Sequence, residues 1–228
     1  MSIMSSVFTI TAALALPIAA GVWLALRRKG YLKPLLFGVL TFVVFQVLTR
    51  IPILGVLPRM PWFTVMQMGY PFLYALFLGG TAALFEEGGR YLVMGLFLKN
   101  RRRVSDGIAF GIGHGGIEAV LLVGVNALIT TLAGTVVDPG TMFAGGVERI
   151  STMIVHVAWS VMVLKSVREK KIGYLLLAFA LHTLIDAAAV LCQYQGVSML
   201  VVEIMVGAFA LLMLGYTVYE YSRSEATA

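Results

Sequence analysis

Long apolar runs alternate with short polar breaks along the whole chain. A helix needs about twenty apolar residues to cross a bilayer. Runs of that order cover residues 4–26, 34–52, 69–98, 105–132, 147–165, 172–194 and 197–220, and they predict an all-α bundle of seven transmembrane helices. The second is short, with Lys33 and Arg50 at its ends, and is expected to continue past Arg50, whose side chain can snorkel. The third and fourth exceed what a span needs, which permits tilt, a break or a short helix outside the membrane. Residues 50–68, with Pro52, Pro58, Pro61 and Trp62, read as an ordered interfacial loop. The Gly-rich stretch 133–146, with Asp138-Pro139-Gly140, reads as a turn. Without internal repeats or low-complexity tracts, residues 1–228 read as one polytopic domain.

The polar breaks are asymmetric. Arg27, Arg28, Lys29 and Lys33 follow the first run, and Lys99, Arg101, Arg102 and Arg103 follow the third. Lys165, Arg168, Lys170 and Lys171 follow the fifth, and Arg223 follows the seventh. Only Arg50, Arg59 and Arg149 fall to the other side, so the positive-inside rule places the N-terminus outside and the C-terminus in the cytosol. No Lys or Arg precedes the first run, which therefore reads as a retained span and not a cleaved signal.

Composition narrows the class. Of the 228 residues, 60% are apolar and 12% charged, where a soluble domain carries about twice that charged fraction. The net charge of +6 is explained by topology, so no nucleic-acid partner is expected. The partners expected are the lipid bilayer of a bacterial plasma membrane and a membrane protein or peptide; no feature specifies an oligomeric state. The single cysteine, Cys192, excludes an internal disulfide and has no histidine within a turn, so it reads as inert.

Against this apolar background the ionisable residues inside the spans stand out, because each costs several kcal/mol unless it pairs, hydrates or faces a cavity. Glu86 with Arg90, His114 with Glu118, and His182 with Asp186 each share a helix face at i,i+4 spacing, and His156 lies on a further span. Counted at a rise of about 1.5 Å per residue from the basic anchors, Arg90, His114, His156 and His182 lie about 14–16 Å deep. Glu86, Glu118 and Asp186 lie about 20–22 Å deep on the same count. The shared depth predicts one polar, water-containing chamber. Glu86 and Glu87 diverge by about 100° around the helix axis, so Arg90 can neutralise one carboxylate and leave the other as a base. His156 reads equally as a structural hydrogen-bonder or as a catalytic or metal residue, and Arg90 reads as a counter-ion. Glu203 either lines the chamber's outer mouth or pairs with Arg149. Gly107, Gly111 and Gly115 fit close helix packing.

Three motifs then resemble a known family. Phe85-Glu86-Glu87-Gly88-Gly89-Arg90-Tyr91 resembles the E-E-x-x-R signature of the YhfC-type intramembrane proteases. Phe110 to His114 is similar to the F-x-x-x-H motif, and His182 to Asp186 to the H-x-x-x-N/D motif, of the wider superfamily of CAAX proteases, bacteriocin-processing (CPBP) proteins and PrsW proteases. The extra His114-x-x-x-Glu118 pair and the spacing to Arg90 point to the YhfC branch. The resemblance implies peptide-bond hydrolysis inside the bilayer by a glutamate-activated water. Glu86 would be the base, His114 would share the water, and His182 with Asp186 would stabilise the oxyanion, with Glu87 and Arg90 in support. Zinc is the alternative, through His114, His156, His182 and Glu86. Each histidine comes from a different helix and H-E-x-x-H is absent, so the reading favours a glutamic mechanism with no required cofactor. A transporter or a non-catalytic scaffold would be expected to show inverted repeats or a missing member of the set, and the sequence shows neither.

Overall fold

The computed structural model describes residues 2–27 and 29–225, and they are helical almost throughout, with no strand among them. Arg28 of the first basic cluster lies outside the described residues, as do the side chains of Arg27 and Lys29. In chain order the helices are α1 (Ile3–Leu26), α2 (Leu32–Arg59), the short α3 (Pro61–Gly69), α4 (Pro71–Phe97), α5 (Val104–Leu132), α6 (Pro139–Glu169), α7 (Gly173–Tyr194) and α8 (Met199–Ser224). Six of them are individually long and apolar enough to cross a membrane. The pair α3–α4, bent by 116°, brings the number of candidate spans to as many as seven.

Local chemistry explains where the boundaries depart from the hydropathy pattern. Residues 50–68 are helical, not a loop: α2 runs on to Arg59 and α3 follows almost at once. The sharp bend falls at Tyr70, whose φ of −136° and ψ of 67° are non-helical, and Pro71 opens α4 at a position where its missing N–H costs nothing. α6 begins at Pro139, eight residues before the apolar run, because Asp138 caps it by accepting the Thr141 backbone N–H at 2.8 Å. That hydrogen bond and one from the Thr141 hydroxyl hold the Asp138 carboxyl below its ordinary range. The predicted turn therefore shrinks to residues 133–138. At its other end α6 reaches Glu169, so Lys165 is not a loop cation; it is buried and pairs with Glu220 of α8 at 2.5 Å.

α6 is the central helix, with 72% of its most apolar window buried against 17% for α7 and 22% for α8. Gly107 and Gly111 of α5 lie against its backbone and Gly115 against the His156 side chain: a Cβ on Gly111 would meet Val157 Cα at 2.5 Å, and one on Gly115 would meet His156 Cβ at 2.9 Å. The packing role read from their spacing is what they perform. On the basic-loop side, Met94, Leu98, Phe110, Trp159 and Leu164 close an apolar core beneath the polar residues. Three spans contain wide π-helical turns, at 11–15, 43–50 and 119–124. The latter two adjoin polar residues described next, a frequent location for such turns.

Candidate active site

α4 carries Glu86, Glu87 and Arg90 into the middle of the bundle, all three buried. Arg90 Nη2 lies 3.2 Å from Glu86 Oε2, and Nη1 donates to Glu87 Oε1. From α5, His114 Nε2 reaches Glu86 Oε2 at 3.0 Å. From α6, His156 Nδ1 lies 2.7 Å from Arg90 Nη2, and its Nε2 lies 2.7 Å from Glu118 Oε2. From α7, His182 Nδ1 meets Glu87 Oε1 at 2.7 Å, while its Nε2 faces Asp186 Oδ2 at 3.4 Å. The eight residues picked out by spacing thus form one continuous network.

The structure sorts them into a wall and a backing. A cavity of about 220 Å³ is lined by Glu86, Glu118, His156, His182 and Asp186, together with Glu148, Arg149 and Trp159. Glu87, Arg90 and His114 do not line it; they sit behind and hold the carboxylates and imidazoles that do.

Several participants were not recognised in the sequence. Gln46, within the wide turn of α2, donates to Glu86 Oε1 at 2.5 Å. Arg50, four residues on, donates to Gln46 Oε1 at 3.3 Å, so the amide must turn its NH₂ toward Glu86. Trp159 stacks on His182 with ring centroids 3.9 Å apart and planes 10° from parallel, and Phe42 meets His114 edge-on. Arg149 is not on the outer surface. It is buried and bridges Glu118 Oε1 at 2.8 Å and Glu148 Oε1 at 2.5 Å, so the pairing with Glu203 considered above does not form. Only Gln46 had a legible signal, as a lone amide in an apolar span.

Two observations bear on a metal. Ligand atoms of Glu86, His114, Glu118 and His156 lie within 4.8 Å of one another, all four residues buried, and this His₂Glu₂ set suits zinc. His182 falls instead into a second trio with Glu86 and Glu87. Glu118 Oε2 and His114 Nδ1 are sealed from solvent without a hydrogen-bond partner, and the 2.7 Å approach of Glu118 Oε2 to His156 Nε2 lacks hydrogen-bond alignment. The residues present fit the group.

The chain is 31% identical over 236 residues to a Bacillus subtilis (strain 168) protein, "Uncharacterized membrane protein YhfC", with 90% of this chain and 91% of the relative covered. No solved structure matches it. The profile described as YhfC intramembrane metalloprotease matches residues 12–143 and 135–206, a range that holds every residue of the network, so the chain belongs to the YhfC family of multi-pass membrane proteins.

Proposed function

We propose that the protein is an intramembrane endopeptidase that hydrolyses a peptide bond of a membrane-associated protein or peptide in the cavity between α4, α5, α6 and α7. The observation that carries this reading is the wall itself: a carboxylate (Glu86) and two imidazoles (His156, His182), donated by three helices, face one 220 Å³ space inside an apolar bundle. The family description points the same way, toward proteolysis inside a membrane.

Glu86 is the group that takes the proton of the attacking water. Its Oε1 is fixed by Gln46 and its Oε2 by His114 and Arg90, so its direction is set before substrate arrives. His182 is the donor on the opposite wall. Glu87, itself neutralised by Arg90, holds Nδ1, and Trp159 holds the ring plane. That leaves Nε2, beside Asp186, to meet the developing oxyanion and pass a proton to the leaving amine. Zinc, if bound, would be held by His114, His156 and Glu118 with Glu86 alongside, and would supply Lewis acidity toward carbonyl and water. The basic loops between α1 and α2, α4 and α5, and α6 and α7 are assigned to the cytosol.

The test is cleavage of a transmembrane reporter in proteoliposomes. Glu86→Gln should insert and fold as the wild type does but leave the reporter intact. Normal turnover by that variant would remove the proposed base. Loss of wild-type activity on chelation, with return on adding zinc, selects the metal-assisted form; insensitivity to chelation selects the glutamic one.

A further inference from the structure

The catalytic cavity is not isolated. It shares Glu148, Ala189 and Val206 with a second space of about 500 Å³ between α6, α7 and α8. That space in turn shares Thr141, Met199 and Glu203 with a third, of about 580 Å³, between the first turns of α6 and α8. Sharing these walls, the three spaces lie in series from the flank of the bundle to the catalytic wall. The outer part is apolar, with Phe143, Leu200 and Ile204 largely exposed along it.

From Gly207 onward α8 is tied to α6. Lys165 pairs with Glu220, Trp159 meets Phe209, and Gly207 approaches Ser151. Nearer the start of α8 the charged groups lining the two outer spaces are acidic: Glu148, Glu203 and, at the rim, Asp138. Their nearby cation is already engaged, since Arg149 is shared between Glu118 and Glu148, and Glu203 Oε2 has no hydrogen-bond partner. Asp138 is held ionised by its two hydrogen bonds from Thr141.

We propose that the α6–α8 cleft is the port through which substrate reaches the site, and that its occupant is an apolar peptide segment bearing a lysine or arginine. The apolar trough receives the hydrophobic stretch from the side, and Glu148 and Glu203 receive the cation at the neck. Distance fixes the register. Glu148 precedes His156 by eight residues of one helix, about 12 Å at 1.5 Å per residue. An extended peptide covers about 3.3–3.6 Å per residue, so the cation sits about three to four residues from the cleaved bond. This assignment rests on the peptidase reading for the word substrate, but the binding it describes does not require cleavage.

The test uses synthetic transmembrane peptides of leucine and alanine, flanked by lysine or by glutamate, reconstituted with the full chain. A photoreactive amino acid is placed at Ile204 in the cleft, or at Ile18 in the separate apolar groove between α1, α2 and α5. Capture of the lysine-flanked peptide at 204 and not at 18, favoured about fivefold over the glutamate-flanked one, is expected of a partly solvated ion pair. Glu148→Gln with Glu203→Gln should erase the preference while leaving the apolar capture, and Glu86→Gln should leave both. Equal capture at the two positions, or none at 204, overturns the port; equal capture of both peptides overturns the cationic occupant. Capture at 204 without Glu86-dependent cleavage would instead count against the peptidase reading and leave the port standing.

Discussion

Replacing Gly79 by alanine should part α4 from α7 and disengage the two walls of the site. A Cβ there would lie 2.6 Å from the Thr183 carbonyl oxygen and 3.0 Å from Ala187 N, backbone atoms that cannot swing aside. Ordinary contact begins at 3.4 Å, so the helices must separate by about 0.8 Å. Thr183 adjoins His182, and the 2.7 Å bond from His182 to Glu87 would stretch to about 3.5 Å, beyond a useful hydrogen bond. Losing a charge-assisted bond costs about 1.5–3 kcal/mol and overpacking about 1–3 kcal/mol, so stability should fall by about 3 kcal/mol or more. If the lost bond also weakens the transition state by its full value, turnover falls about ten- to a hundredfold. Gly80 is the control: its added Cβ would meet only Thr183 Cγ2 at 3.9 Å, and alanine there removes the entropy cost of a helical glycine. Equilibrium unfolding in mixed micelles and initial cleavage rates would compare the two. Similar behaviour of Gly79→Ala and Gly80→Ala would refute the proposed α4–α7 contact.

Other consequences are equally direct. Arg90→Met leaves Glu86 and Glu87 buried without their cation, and should cost about 3–5 kcal/mol in the same unfolding assay; Arg90→Lys should not restore it, because a single ammonium cannot serve Glu86, Glu87 and His156 together. Gln46→Leu should leave the fold intact and lower turnover about tenfold with little change in KM, since the amide orients the base without touching substrate. In the metal-assisted form, zinc content by elemental analysis of the purified protein should approach one per chain and be lost in His114→Ala and His156→Ala but kept in His182→Ala, because His182 stands outside the four-residue set; a protein free of zinc that still cleaves the reporter selects the glutamic form. The buried Lys165–Glu220 pair should lose less when both residues are replaced by methionine than when Lys165 alone is, a comparison read by thermal unfolding.

The span pattern and the three motif pairs were legible in the sequence because both are local. Hydropathy reports a helix directly, and i,i+4 spacing fixes which side chains share its face. Pairings between helices have no such signature. Arg149 looked like a surface cation because the apolar run starts at 147, yet the Asp138 cap and Pro139 start α6 earlier and carry Arg149 about 15 Å down the helix, within reach of Glu118. Trp159 was one aromatic among many until the fold set it flat against His182. The loop read over residues 50–68 fails for a similar reason: its prolines suggested irregular chain, whereas Pro61 opens α3 just as Pro71 opens α4.

Mass spectrometry of a transmembrane reporter, incubated in oxygen-18 water with proteoliposomes of wild-type protein or Glu86→Gln, interrogates hydrolysis in the Glu86-lined cavity most directly. The wild type should release an N-terminal fragment carrying one heavy oxygen in its new carboxylate, and Glu86→Gln should release none. Fragments of equal yield from both proteins, or a fragment without the label, would contradict it.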